Sequence, residues 1–179
     1  MLHTILPTQM QAAEQTAFAA GLSPLLTMET AARAAFDVLL DLLGCDCRGK
    51  NVLFLCGPGN NGGDGLVMAR LLLQARGFAR IILLDTPKTA EAQINLRHLQ
   101  AMGADIEAVP DELLEDEYDA VVDALFGTGF TGSIAADSPA GRLLTWANTC
   151  GPMLSIDVPS GMDAATGAVI EWDVESIYD

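Results

Sequence analysis

The sequence has few positive charges. Its 179 residues include 9 Lys and Arg against 24 Asp and Glu, which gives a formal net charge of −15. Because nucleic-acid binding depends on neutralising phosphates with cationic side chains, this balance argues against a nucleic-acid partner. The acidic surface would also repel an anionic small molecule, so such a ligand would need a local site built from backbone N–H groups.

Long apolar runs are missing too. No stretch approaches the roughly 18 uninterrupted apolar residues of a membrane span, and the N-terminus MLHTILPTQMQ lacks the pattern of a secretory signal. The four cysteines form no CxxC pair, which favours buried or incidental thiols over a metal or redox site. They are Cys45, Cys47, Cys56 and Cys150. We therefore expect a cytoplasmic protein with no membrane partner.

Histidine is scarce, which narrows the chemistry. The two histidines are His3, near the terminus, and His98, within a predicted helix. Neither lies in a loop that follows a strand, so a Ser-His-Asp or Cys-His mechanism is disfavoured. Any proton transfer would fall to carboxylates, hydroxyls or water.

What the chain does have is an alternation of strand and helix patterns. Half of the residues are apolar, which is ample for one packed domain over residues 1–179. The alternation indicates an α/β fold, a Rossmann-like three-layer sandwich with a mainly parallel sheet and N-terminal helices. The predicted strands are 52–56, 80–84, 105–109, 118–124 and 153–158, and the predicted helices are 9–21, 25–44, 66–74, 89–102 and 139–148.

A glycine-rich segment, GPGNNGGDG at residues 57–65, follows the first predicted strand of this alternation. Its glycines would permit positive φ angles and a close approach of the backbone to a ligand, beside a helix N-terminus that attracts phosphate. The simpler alternative is a tight turn with capping residues. Gly57, Gly59 and Gly62 also match GxGxxG, and Asp85 ends the next strand, as in dinucleotide-binding enzymes. A P-loop is disfavoured because no Gly-Lys-Ser/Thr follows.

Two further strand ends carry polar loops. Asp123 interrupts an apolar strand before the segment GTGFTGS, and Asp157 is followed by Ser160. A buried carboxylate needs a partner, so Asp123 is either a capping acid or an acid, base or cation ligand. Oxygens from Asn61, Asp123 and Ser160 would suit a hard cation if their strands are neighbours.

Together these segments resemble the NAD(P)H-hydrate epimerase family, also called the YjeF N-terminal domain. The resemblance is carried by GPGNNGGDG at 57–65, VDALFGTGFTG at 122–132 and SIDVPSGMDAATG at 155–167, with Met28-Glu29-Thr30-Ala31 similar to the M-E-x-A segment of the family. Ala32 departs from the glycine usual at the next position. The family continues beyond the match to Gly167 with further strands and a helix, so we expect a domain shortened at its C-terminus.

The resemblance implies a substrate, a cofactor and partners. The substrate would be hydrated NADH or NADPH (NADHX or NADPHX), whose R and S epimers the family interconverts during repair of nicotinamide cofactors. K⁺ would be the cofactor, at Asn61, Asp123 and Ser160. The partners would be an NAD(P)HX dehydratase, separate or fused, and a second copy in a homodimer. The implied substrate-binding residues are Asn60, Asn61, Gly62, Gly63, Asp64, Gly127, Thr128, Gly129, Phe130, Thr131, Gly132, Ser133 and Asp157.

The catalytic residue on this interpretation is Asp123. It would protonate the departing hydroxyl of the hydrated ring and then activate the water that returns on the other face. Two alternatives stay open: a non-catalytic binding or scaffolding module of the same fold, and a nicotinamide-dependent oxidoreductase.

Overall fold

Five parallel strands form the centre of the molecule. The computed structural model describes residues 6–113, 116–130 and 132–169, and the sheet in these segments has the order β3-β2-β1-β4-β5. The strands are β1 (Asn51–Cys56), β2 (Phe78–Leu83), β3 (Asp105–Ala108), β4 (Ala120–Ala124) and β5 (Met153–Ser155). Every pairing between them is parallel, which confirms the predicted α/β class.

Five helices accompany the sheet in the described segments. They are α1 (Pro7–Ala19), α2 (Pro24–Leu42), α3 (Asn60–Gln74), α4 (Ala90–Ala101) and α5 (Pro139–Cys150). Three of them begin with a hydroxyl cap: Ser23, Thr89 and Ser138 each accept a hydrogen bond from a backbone N–H of the first turn. None of the helices in these segments is long and apolar enough to cross a membrane.

The core lies on both faces of the sheet, as a three-layer sandwich requires. One apolar cluster joins α2, α3 and α4 to one face, through residues such as Met28, Phe36, Leu66 and Leu99. A second cluster joins α5 to the opposite face, through residues such as Leu143 and Trp146. The central strand β1 is buried on both sides except at Asn51, which explains its uninterrupted apolar sequence.

The strand order places one crevice at the centre of the sheet. The chain proceeds from β1 outward to β2 and β3, then returns to β4 on the other side of β1. Loops after β1 and β4 therefore diverge, and ligands of open α/β sheets bind at such a switch point. Cys56 pairs with Ala124, and Asp123 pairs with Ser155, so the ends of β1, β4 and β5 lie side by side.

Candidate functional site

The glycine-rich segment is mostly helix, not loop. Helix α3 begins at Asn60, whereas the apolar pattern predicted a start at residue 66. The predicted positive φ angles are not found at Gly57, Gly59, Gly62 or Gly63. Glycine is required for packing instead: a Cβ on Gly62 would lie 1.9 Å from the carbonyl oxygen of Gly57. Asn60, Asn61 and Gly62 are thereby held in the first turn of α3, where N–H groups lack partners within the helix, and from Gly63 onward the helical bonding begins, with the Gly63 N–H donating to the Gly59 carbonyl at 3.1 Å.

Asp123 is buried at the end of β4 and surrounded by hydrogen-bond donors. It is 1% exposed. Its Oδ1 accepts from the Ser160 hydroxyl at 2.6 Å and the Leu125 N–H at 3.2 Å. Its Oδ2 accepts from the Ser160 N–H at 2.8 Å and the Ser155 hydroxyl at 3.1 Å. These four donors compensate the cost of burying an ionised carboxylate.

Asn61 joins this group through the loop after β4. Its Nδ2 donates to the carbonyl oxygen of Phe126 at 2.9 Å, and the N–H of Phe126 donates to the Ser160 hydroxyl at 3.0 Å. The Oδ1 of Asn61 is buried and accepts no hydrogen bond from the residues that the structure describes. Asn61, Asp123 and Ser160 are thus brought together as the sequence predicted, and we call them, with the Phe126 carbonyl, the oxygen cluster.

Asp157 lies beside the oxygen cluster in a strained backbone conformation. Its φ angle is 68°, which is uncommon for a residue other than glycine. Its Oδ2 accepts a hydrogen bond from the N–H of Thr128 at 2.7 Å. The space between Asp157 and Asn61 is filled by Gly127, where a Cβ would lie 2.7 Å from Asp157 Oδ2 and 3.3 Å from Asn61 Cβ. This glycine permits the two predicted substrate segments to meet.

Asp64 has the opposite surroundings from Asp123. It lies in the first turns of α3, half-buried, and within the described residues its carboxyl accepts no hydrogen bond. Burial, together with the nearby carboxylates of Asp157 and Glu14, raises its pKa to about 7. Asp64 therefore retains a proton at a pH where ordinary aspartates are ionised.

The other predicted substrate-binding residues form the rim of the site. The ring of Phe130 packs on that of Phe126, with 4.3 Å between their centroids. Buried Gly63 lies beneath the side chain of Met28 from α2. Four predicted residues are exposed: Asn60, Gly129, Gly132 and Ser133. Thr131 lies outside the described residues, so its placement stays a prediction.

The dinucleotide interpretation of Asp85 finds less support. This residue follows β2, and its carboxylate forms an exposed ion pair with Lys88 at 3.0 Å. The Lys88 partner and the N–H of Thr86 lower the pKa of Asp85. In the described segments, no three His, Cys, Asp or Glu side chains group together in a way that would hold a metal ion. Any cation at the oxygen cluster would instead use amide, hydroxyl and carbonyl oxygens beside one carboxylate.

Three residues of the site were not predicted from the sequence: Phe126, Ser155 and Glu14. Phe126 contributes its backbone carbonyl and N–H, and Ser155 donates to Asp123. Both lie inside the motifs VDALFGTGFTG and SIDVPSGMD, so a closer reading of those segments would have included them. Glu14 of α1 approaches Asp64 from a distant part of the chain, and no sequence signal marks it.

Comparison with known protein families identifies the family of this chain. The family described as YjeF-related protein N-terminus matches residues 26–176. The chain belongs to this family. The match includes the segments that carry NNGGD, Asp123 and Ser160.

Three named relatives are similar to this chain in sequence. The bifunctional NAD(P)H-hydrate repair enzyme Nnr of Salinibacter ruber is 36% identical over 179 residues, which cover 90% of this chain and 32% of that protein. The enzyme of the same name from Methanothermobacter thermautotrophicus is 36% identical, with 91% and 32% covered. The NAD(P)H-hydrate epimerase of Entamoeba histolytica is 36% identical over 141 residues, with 78% and 61% covered.

These relatives are longer than the chain. It spans about a third of the two bifunctional enzymes and under two thirds of the Entamoeba protein. Among solved structures, the yeast protein ynu0 is similar with a TM-score of 0.74 and 22% identity, over 90% of this chain and 72% of that one. This similarity supports the fold, including the parallel sheet.

Proposed function

We propose that the chain is an NAD(P)H-hydrate epimerase, which interconverts the R and S epimers of hydrated NADH and NADPH. The observation that carries the proposal is the oxygen cluster at the switch point, directly beside NNGGD in the first turn of α3. Relatives at 36% identity, named as an NAD(P)H-hydrate repair enzyme and an NAD(P)H-hydrate epimerase, support the same activity. Enzymes of this kind act in the repair of nicotinamide cofactors.

The substrate would bind across the ends of β1 and β4. The acidic chain needs a local anion site, and the free N–H groups at the start of α3 offer one for the phosphates. Gly59, just before this helix, has open space around it, so a ligand can approach its backbone. The segment from Gly127 to Ser133, with Asp157 behind it, would enclose the remainder of the substrate.

The reaction inverts a ring carbon that bears a hydroxyl beside the ring nitrogen. When the C–O bond breaks, the hydroxyl leaves as water with a proton from an acid, and the nitrogen lone pair forms an iminium. Water then adds to the opposite face and gives a proton to a base. The substrate regains a hydroxyl with the opposite configuration at that carbon. The proton that has passed from the acid to the base returns to the acid through solvent before the next turnover.

Two carboxyl groups suit the two proton transfers. Asp64, with its pKa raised to about 7, holds a proton that it would donate to the departing hydroxyl. Asp123, held by four donors, is arranged as an acceptor and suits activation of the incoming water. Asp123 thus keeps only the second of the two steps expected from the sequence, activation of water, and the acid step expected of Asp123 is proposed for Asp64 in addition to its binding role.

The oxygen cluster fits K⁺. The buried Oδ1 of Asn61 has no hydrogen-bond partner, and an orphaned acceptor of this kind is expensive unless a cation or a water fills the site. Asn61, Asp123 and Ser160 would hold the ion, beside the Phe126 carbonyl. Amide, hydroxyl, carbonyl and carboxylate oxygens are ligands for hard cations. Its positive charge would orient substrate oxygens and fix the loop after β4.

The partners and location belong to the same proposal. The relatives named bifunctional repair enzymes support an NAD(P)HX dehydratase as the partner, on a separate or a longer chain. We further propose a homodimer in the cytoplasm. The cysteines support that compartment, because Cys45, Cys47, Cys56 and Cys150 are all free thiols.

The test is direct measurement of epimerisation. Purified R-epimer of hydrated NADH is incubated with the chain in potassium buffer, and formation of the S-epimer is followed by chromatography against the spontaneous rate. The proposal predicts acceleration that is saturable in substrate. A folded chain that leaves the spontaneous rate unchanged would contradict it and favour a binding or scaffolding module.

A further inference from the structure

Helix α1 contributes almost nothing to the core. None of the residues from Pro7 to Ala19 is buried, while the neighbouring α2 buries Met28, Ala32, Phe36 and Leu39. A helix of 13 residues with no buried residue, in which only Pro7, Ala17 and Phe18 are partly buried, gains little stability from packing. Its position therefore requires an explanation other than the hydrophobic core.

One side of α1 faces the candidate site at two places. The Nε2 of Gln11 lies 4.0 Å from the position that a Cβ of Gly129 would occupy, in the loop after β4. One turn further on, Glu14 is close enough to Asp64 to raise the pKa of that carboxyl. Gln11 and Glu14 thus reach the two segments that the proposed function assigns to the substrate.

A small cavity lies between α1 and the site. Its volume is about 110 Å³, and its walls come from α1, α2, α3 and α4. The polar groups that line it include Glu14, Thr27, Asn60, Asp64 and Glu91. Phe18 of α1 closes the apolar side. Helix α1 therefore bounds a space that opens onto the NNGGD turn.

We infer that α1 is the third wall of the substrate site, with Gln11 and Glu14 as side chains that contact bound substrate. The inference rests on the proposed function and names further residues of the same site. Gln11 would contact the part of the substrate held by the Gly127 to Ser133 loop. Glu14 would contact the part held by Asp64.

The charges around Glu14 restrict what this wall can bind. The ionisable groups that act on Asp64 are Glu14 from α1 and Asp157 after β5, and Glu91 from α4 lines the same cavity. Among the residues that the structure describes, no Lys or Arg lines it. Carboxylates repel phosphate and accept hydrogen bonds from hydroxyl and amide groups. The wall would thus take the uncharged O–H and N–H donors of the substrate, and leave the phosphates to the start of α3.

The exposure of α1 makes the inference testable without loss of the fold. Gln11→Ala and Glu14→Ala remove no buried apolar surface, so the midpoint of urea unfolding should stay unchanged. Each loses one hydrogen bond to substrate, which corresponds to a rise in KM of about 3- to 10-fold. Thr16→Ala is the control, because Thr16 lies on the opposite side of the helix and bonds only its own backbone.

A second readout is independent of turnover. Backbone amides of α1 should exchange with deuterium in the free chain. Saturating hydrated NADH should slow this exchange in the wild type and in Thr16→Ala. In Glu14→Ala the exchange should be slowed less. The inference is overturned if the wild type epimerises while Gln11→Ala and Glu14→Ala keep its KM and its protection. It is also overturned if these variants change only the sedimenting mass, which would make α1 a contact between two copies. Absence of turnover in the wild type would instead contradict the proposed function.

Discussion

Two aspartates in one site show how differently the same side chain can be held. Asp123 is 1% exposed and accepts four hydrogen bonds, from Ser160 twice and from Leu125 and Ser155. Asp64 is more exposed, yet within the described residues it accepts none, and its burial together with its carboxylate neighbours raises its pKa to about 7. Burial alone does not determine how a carboxyl behaves.

The difference shows that the surroundings of each carboxyl decide its role in the site. Donors hold a buried carboxylate as a fixed acceptor, whereas burial without donors, with like charges nearby, keeps a carboxyl protonated. One carboxyl that is held as an acceptor beside another that keeps its proton gives a single site a base and an acid. The predictions below alter one carboxyl or its neighbours and leave the other in place.

The largest effect is expected for Asp123→Asn. An amide cannot act as a base, and its NH₂ group would face donors that need an acceptor, so kcat should fall by at least about 100-fold. Circular dichroism should show the fold retained, with some loss of stability. Asp119→Asn, just before β4, is the matched control: it loses an exposed ion pair with Lys50 and should keep full activity. Equal activity of both variants would remove Asp123 from the mechanism.

Asp64→Asn should change the pH dependence of stability. The folded-state pKa of about 7 lies above the ordinary 3.8, so the folded state binds the proton more tightly. The stability of the wild type should therefore fall as pH rises from about 4 to 7, by a total of about 2 to 4 kcal/mol. The variant lacks this titration, so it should become the more stable protein at pH 8 while losing activity.

Urea unfolding of both proteins at several pH values measures this. The difference in free energy of unfolding between Asp64→Asn and wild type should increase from pH 5 to pH 8. A difference that is constant over this range would show that Asp64 is not held protonated by its neighbours.

Gly127→Ala should displace the carboxylate of Asp157, which lies near Asp64. Its Cβ would lie 2.7 Å from Asp157 Oδ2, so Asp157 must shift and its bond to Thr128 weakens. We expect a loss of about 1 to 3 kcal/mol in the free energy of unfolding. Gly129→Ala is the control, because it meets no atom closer than Gln11 at 4.0 Å. If the two variants unfold at the same urea concentration, the close approach at Gly127 is not a constraint.

The smallest effect is expected for the response of the Tm to potassium, which should depend on the Oδ1 of Asn61. If K⁺ binds the oxygen cluster, potassium should raise the Tm of the wild type above its value in choline chloride at equal ionic strength, by about 2–5 °C. Asn61→Ala should abolish that difference. Asn60→Ala, which changes the exposed neighbour, should preserve it. A potassium response that survives in Asn61→Ala would place the ion elsewhere.

The sequence predicted the sheet well because its signals are local. The apolar runs around Phe54 and Val122 are buried on both faces, as parallel strands require. The predicted start of α3 was wrong by six residues. Glycines at 62, 63 and 65 have low helix propensity, so the sequence pattern does not indicate a helix that tertiary packing stabilises. Motif identity named Asn61, Asp123 and Ser160, and the structure brings them together. The contact of Glu14 with Asp64 depends on how α1 lies on the domain, which no local pattern encodes.

The most direct measurement is the rate of R-to-S conversion of hydrated NADH at pH 7 in potassium buffer, with wild type, Asp123→Asn and Asp64→Asn compared side by side. The account predicts that the wild type exceeds the spontaneous rate, that Asp123→Asn approaches it, and that Asp64→Asn also loses most of its turnover. A wild-type rate equal to the spontaneous one, or an Asp123→Asn variant as fast as the wild type, would contradict it.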